Sequence, residues 1–104
     1  MNRKQRRASG NTVGQIFSLA QKRHKAGNLR EAKDLYKKVL AAHPNHPPTL
    51  HLLGVLAFQT GALGPAKELV SKALSFDPGL AGAQTDLCDI LIKMGDFEAA
   101  RESL

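Results

Sequence analysis

The feature that most constrains this chain is an internal repeat with a period of 34 residues. When the sequence is shifted against itself by that period, residues of the same type coincide in several rows. The clearest rows are Gly27, Gly61 and Gly95, then Ala32, Ala66 and Ala100, then Leu19, Leu53 and Leu87, then Pro44 and Pro78. Repeats of about 20 to 50 residues are typical of solenoids, in which each unit packs against its neighbours. The sequence therefore predicts an array of similar units.

Each unit is predicted to contain two helices, which gives an all-α fold. The repeated glycines follow segments whose apolar residues recur every three or four positions, and glycine is favoured after a helix because it adopts the left-handed backbone freely. Pro44 and Pro78 end the second helices, since proline cannot continue a helix. First helices are predicted at 13–26, 47–60 and 81–94, and second helices at 29–42, 63–76 and 97–104.

Composition and targeting signals exclude several classes of protein. The single cysteine, Cys88, excludes an internal disulfide, and we interpret it as a small buried apolar residue. No apolar run approaches the length of about 20 residues that a membrane span requires. The basic amino terminus is not followed by the apolar segment of a signal peptide, so a cytoplasmic location is expected.

The net charge of +6 is unevenly distributed. Residues 1–12, expected to form a disordered tail, carry four bases and no acid, whereas residues 81–104 carry five acids and two bases. The tail contains no aromatic residue for stacking on bases, so any contact with nucleic acid or anionic lipid would be weak and electrostatic, without specific nucleic-acid recognition. The opposite charges at the two ends suggest either head-to-tail attraction between copies or an acidic continuation in further repeats.

The repeat resembles the tetratricopeptide repeat (TPR), a helix–turn–helix unit of about 34 residues with the signature W-x2-L-G-x2-Y, A-x3-F and P. The second repeat matches best, through Leu50, Leu53, Gly54, Ala57, Ala66, Val70 and Pro78. The first repeat has Arg23 at the tyrosine position, and the third stops at Leu104, inside its second helix. The resemblance implies a right-handed α-α superhelix (a TPR solenoid) of antiparallel helix pairs. Its repeats lie at 13–46, 47–80 and 81–104 (truncated), about two and two-thirds in number.

The same resemblance implies a protein–protein interaction scaffold that is not an enzyme. In TPR arrays the first helices line a concave groove that receives an extended peptide or a partner helix. Leu52 and Asp86 stand where a carboxylate clamp would place amides or bases, which argues against recognition of a carboxyl terminus. Phe17, Val55 and Phe58 are as consistent with packing between repeats as with ligand contact. By position, the predicted lining is Phe17, Gln21, His24, Lys25, His51, Val55, Phe58, Gln59, Thr85, Asp89 and Ile92.

A second interpretation places the chain ahead of a catalytic domain. The stretch 51–61 is similar to amino-terminal repeats of bacterial proteins resembling O-linked N-acetylglucosamine transferases, and to repeats ahead of some methyltransferase domains. Under this interpretation the chain presents substrate. Because the third repeat lacks a polar cap, we expect either a fragment of a longer array or self-association through that repeat.

No catalytic, cofactor-binding or metal site is predicted. His43, His46 and His51 are close in sequence but lack the paired spacing of zinc ligands, so we interpret them as solvated histidines near a turn. Asp86 and Asp89 lie one helical turn apart on a helix with no other chemical signal.

Overall fold

The computed structural model describes residues 12–96, so residues 1–11 of the predicted tail and the predicted helix at 97–104 lie outside this range. Among residues 12–96 all regular structure is helical. The helices are α1 (Val13–Lys25), α2 (Leu29–Ala42), α3 (Pro47–Gln59), α4 (Leu63–Phe76) and α5 (Ala83–Met94). They follow the predicted order of first and second helices, and the all-α TPR solenoid is confirmed.

The helix ends are determined by local residues. At the start of α1, the Thr12 hydroxyl accepts a hydrogen bond from the Gln15 amide at 3.1 Å, and the Gln15 side chain accepts one from the Thr12 amide at 3.0 Å. This reciprocal pair satisfies two donors that a helix start leaves free. The first helices end before left-handed glycines, as predicted, at Gly27, Gly61 and Gly95, with φ of +83°, +86° and +83°.

Helix α5 begins two residues later than the predicted position 81. Gly82 precedes the helix with φ +79°. A left-handed residue cannot belong to a right-handed helix, so the helix starts only after it.

The two helices of the second repeat approach each other closely at Gly54. A Cβ atom at this position would lie 2.6 Å from Val70 Cγ2 and 3.2 Å from the Ala66 carbonyl oxygen. Gly54 is therefore required for the close approach of α3 to α4. The fully buried Ala66 lies at this crossing, where its small side chain leaves room for the backbone of α3.

The core of the described residues contains three apolar clusters, of which the two larger ones each join neighbouring repeats and the third consists of Cys88 and Leu91. The first contains Ala20, Ala32, Tyr36, Leu53 and Leu56, and the second contains Ala66, Val70, Ala83 and Ile90. Cys88 is buried, as predicted.

Leu19 is the most exposed of the three repeated leucines, since 36% of its surface remains accessible. The equivalent residues Leu53 and Leu87 pack on the repeat that precedes them. No described repeat precedes the first one, so Leu19 lacks that covering surface.

Candidate interaction surface

Two polar pairs join the first helices of neighbouring repeats. His24 Nε2 on α1 lies 2.6 Å from Gln59 Oε1 on α3, and His51 Nε2 on α3 lies 2.6 Å from Asp86 Oδ2 on α5. Both pairs are separated by 35 residues, which is one repeat plus one position. These contacts place three predicted lining residues, His24, Gln59 and His51, on a surface shared by neighbouring repeats. Asp86 was not among the predicted lining residues.

His24 also reaches into its own repeat. Its Nδ1 lies 2.9 Å from the Tyr36 hydroxyl, and the two rings meet edge to face with centroids 5.7 Å apart. A neutral imidazole satisfies all three groups: Tyr36 donates to Nδ1, and the Nε2–H donates to Gln59. Burial raises the pKa of Tyr36 to about 12, because the tyrosinate would lose its hydration. Tyr36 therefore remains a donor at neutral pH.

The interpretation of His51 as a solvated histidine is wrong. Only 8% of its surface is exposed, and its ring hydrogen-bonds the half-exposed Asp86. The cause is the position of His51 in the second turn of α3, where α5 of the next repeat covers it.

His46 also differs from the solvated interpretation. Its Nδ1 lies 2.6 Å from Thr49 Oγ1, and its ring packs edge-on against Phe17 with centroids 5.4 Å apart. Burial, with a smaller contribution from the nearby His43, lowers the pKa of His46. His43 itself is exposed, as interpreted. Among residues 12–96, no three His, Cys, Asp or Glu side chains are grouped to hold a metal ion.

A cavity of about 340 Å³ lies beside the His24 network. Four of its six lining residues belong to the predicted groove lining, and Tyr36 and Leu52 do not. Tyr36 follows Ala32 at the spacing of A-x3-F and belongs to the core, yet its hydroxyl reaches His24 in the groove. The lining is Gln21, His24, Lys25, Tyr36, Leu52 and Gln59. Two glutamines, a lysine and a histidine thus line the cavity together with one leucine.

Two apolar residues of the predicted lining, Phe17 and Phe58, pack on the core clusters that join neighbouring repeats. Phe17 is half-buried and lies 6.3 Å from the Tyr36 ring, centroid to centroid. Phe58 packs against the second core cluster, and Val55 is half-buried. On α5, the predicted residues are exposed, namely Thr85, Asp89 and Ile92. Neither of these phenylalanines lines the cavity beside His24.

None of the helices in residues 12–96 is both long enough and apolar enough to cross a membrane.

Comparison with known proteins identifies the repeat. Residues 23–79, more than half of the chain, match the family model described as tetratricopeptide repeat. The chain is 29% identical over 89 residues to the tetratricopeptide repeat and J domain-containing co-chaperone DNJ1 of Fusarium oxysporum f. sp. lycopersici. That match covers 86% of this chain and 17% of the co-chaperone, so the chain spans a small part of that relative.

Solved structures agree in fold. A crystal structure of MamA superposes with a TM-score of 0.85 at 21% identity, over 96% of this chain and 58% of that one. An O-GlcNAc transferase mutant from Thermobaculum terrenum superposes with a TM-score of 0.84 at 28% identity, over 88% of this chain and 18% of that one. With its 34-residue period, its paired helices and the family match, the chain belongs to the tetratricopeptide repeat family.

Proposed function

We propose that this chain is a protein-interaction scaffold that binds an extended peptide or a partner helix in the groove lined by α1, α3 and α5. The TPR fold itself suggests a scaffold for protein–protein interaction. The observation that carries the choice of groove is the cavity where Gln21, Lys25 and Gln59 converge around Leu52. Concave sites with a few convergent polar groups are the usual places for ligands.

Hydrogen bonds hold part of this groove in place before a ligand binds, which supports its choice as the binding site. Gln59 is fixed by its bond to His24, which is fixed in turn by Tyr36. Within residues 12–96, the side chains of Gln21 and Lys25 have no hydrogen-bond partner and are available to a ligand. A glutamine amide can both donate to and accept from a peptide backbone. Because Gln59 is already held in place by His24, less side-chain entropy is lost when a ligand contacts it.

Charge along the groove suggests an orientation for the ligand. Lys25 stands at the α1 end, whereas Asp86 and Asp89 stand on α5. Complementary charges across an interface fix the register of a bound segment. We expect a ligand with an acidic residue near α1 and a basic residue near α5.

The experiment is a selection of peptides that bind this chain from a displayed random library, followed by fluorescence anisotropy with the selected peptide. Lys25→Glu is expected to weaken binding, because it reverses the charge of the cavity wall. Lys22→Glu is the matched control, since Lys22 is exposed on the same helix and does not line this cavity. Equal affinity of both variants for the peptide would contradict the groove assignment.

A second candidate function is presentation of substrate to a catalytic domain elsewhere in a longer protein. The match to the O-GlcNAc transferase, at 28% identity over 88% of this chain, favours it. In that case the repeats bind the protein to be modified and catalyse nothing themselves. Sequencing the parent open reading frame tests it: a transferase or methyltransferase domain in the same frame supports the proposal, and its absence overturns it.

A further inference from the structure

A second groove lies between the two second helices, α2 and α4, over the end of α3. Two adjoining cavities form it, with volumes of about 410 and 220 Å³. They share four lining residues, Lys33, Lys37, Leu56 and Thr60. We call this feature the second-helix groove. It shares no lining residue with the cavity beside His24, so it is a separate surface.

The floor of the second-helix groove is apolar. The smaller cavity is bounded by Leu56, which is 3% exposed, and by the half-buried Leu69 and the exposed Pro65. Leu53, Ala57 and Ala62 complete this wall. The recess suits an apolar side chain that a partner inserts between α2 and α4.

The rim of the groove is basic. Arg30, Lys33 and Lys37 line it and fall on one face of α2, at spacings of three and four residues. Asp34 is the acid among the lining residues. Within residues 12–96, none of these three cations takes part in an ion pair. Their charges are therefore available to an external anion.

We propose that the second-helix groove binds an acidic amphipathic segment of a partner protein. An apolar side chain of the segment enters the recess between Leu56, Pro65 and Leu69, and its carboxylates pair with Lys33 and Lys37. Charge complementarity selects an acidic partner. The groove contains no aromatic side chain on which nucleic-acid bases could stack, and its recessed floor cannot lie flat on a membrane surface.

The test uses a short fluorescein-labelled peptide with leucines every three or four positions and glutamates between them, and a twin in which glutamines replace the glutamates. The wild-type chain is expected to bind the acidic peptide and to bind the glutamine twin much more weakly. The double variant K33E/K37E is expected to weaken binding of the acidic peptide by about tenfold or more, because two attractive contacts become repulsive. Thr60→Glu, at an exposed residue of the same lining, is expected to weaken it as well.

The matched control is the double variant K22E/K38E. It makes the same change in net charge at exposed residues of α1 and α2 that do not line the groove. Its affinity is expected to stay within about twofold of wild type. Equal weakening by both double variants, equal binding of the glutamine twin, or no binding of the acidic peptide to the wild-type chain would overturn the proposal. The proposal would also be overturned if phosphatidylserine vesicles bound the wild-type chain and not the K33E/K37E variant, while the peptide bound neither.

Discussion

His51 Nε2 on α3 lies 2.6 Å from Asp86 Oδ2 on α5, so one hydrogen bond ties the second repeat to the third. His51 is buried, whereas Asp86 is half-exposed. The imidazole N–H thus depends on Asp86 for a partner that water cannot readily replace. An array whose units touch only their neighbours relies on such contacts for its cooperativity.

Replacing Asp86 with alanine is expected to destabilise the chain by about 1–3 kcal/mol, because it leaves a buried donor unsatisfied. Part of the loss comes from the favourable position of Asp86 in the first turn of α5. The measurement is the free energy of unfolding in urea. Asp89→Ala, at an exposed residue of the same helix, is the control and is expected to cost less than about 0.5 kcal/mol. Equal losses in the two variants would show that the His51 contact contributes nothing.

The absorbance of Tyr36 provides an optical test of the burial of its hydroxyl. The chain has one tyrosine and no tryptophan, so tyrosinate absorbance reports this residue alone. The folded chain is expected to titrate with a pKa of about 12, and the urea-unfolded chain near the ordinary value of 10.0. Because the folded pKa is raised, the stabilisation is fully present below pH 10 and is lost as the pH rises toward 12. A folded-state midpoint near 10 would contradict the burial of this hydroxyl.

Gly54→Ala is expected to destabilise the chain by about 1–3 kcal/mol, because the added methyl group collides with Val70 and the Ala66 carbonyl. This loss exceeds the gain in helix propensity, which is at most about 1 kcal/mol. Gly64→Ala is the control, since a Cβ there meets no atom within 4 Å. Thermal unfolding should show a lower midpoint for the first variant and an unchanged or raised midpoint for the second. A neutral Gly54→Ala would mean that α3 and α4 do not approach so closely.

His46 is expected to titrate below the ordinary histidine pKa of 6.5, mainly because its ring is partly buried. Since the folded pKa is lowered, the folded state takes up this proton less readily than the unfolded state. The stabilisation is therefore present above pH 6.5 and is lost as the pH falls through the folded pKa. NMR titration of the imidazole signals measures the pKa of His46, and the His46→Gln variant assigns the resonance. A midpoint at or above 6.5 would contradict the packing of His46 on Phe17.

The helix pairs could be predicted from the sequence because their determinants are local. The period, the apolar spacing and the glycines at 27, 61 and 95 locate each helix without knowledge of how the repeats stack. The start of α5 was missed because a single left-handed glycine, Gly82, delays it.

The contacts between repeats could not be predicted in the same way. They depend on the rotation of one repeat relative to the next, which no local pattern encodes. His51 was therefore interpreted as solvated and Asp86 as part of an ordinary helix face. A signal was present, because both inter-repeat pairs join a histidine to an acceptor 35 residues later. Searching a repeat sequence for complementary polar residues at this offset would have found them.

The groove of α1, α3 and α5 is tested most directly by mapping a library-selected peptide on the isotope-labelled chain by NMR. The peptide is expected to shift the side-chain amide signals of Gln21 and Gln59 and the backbone signals around Lys25, and Lys25→Glu is expected to reduce these shifts. Perturbations confined to α2 and α4, or unaffected by Lys25→Glu, would contradict this groove as the binding site.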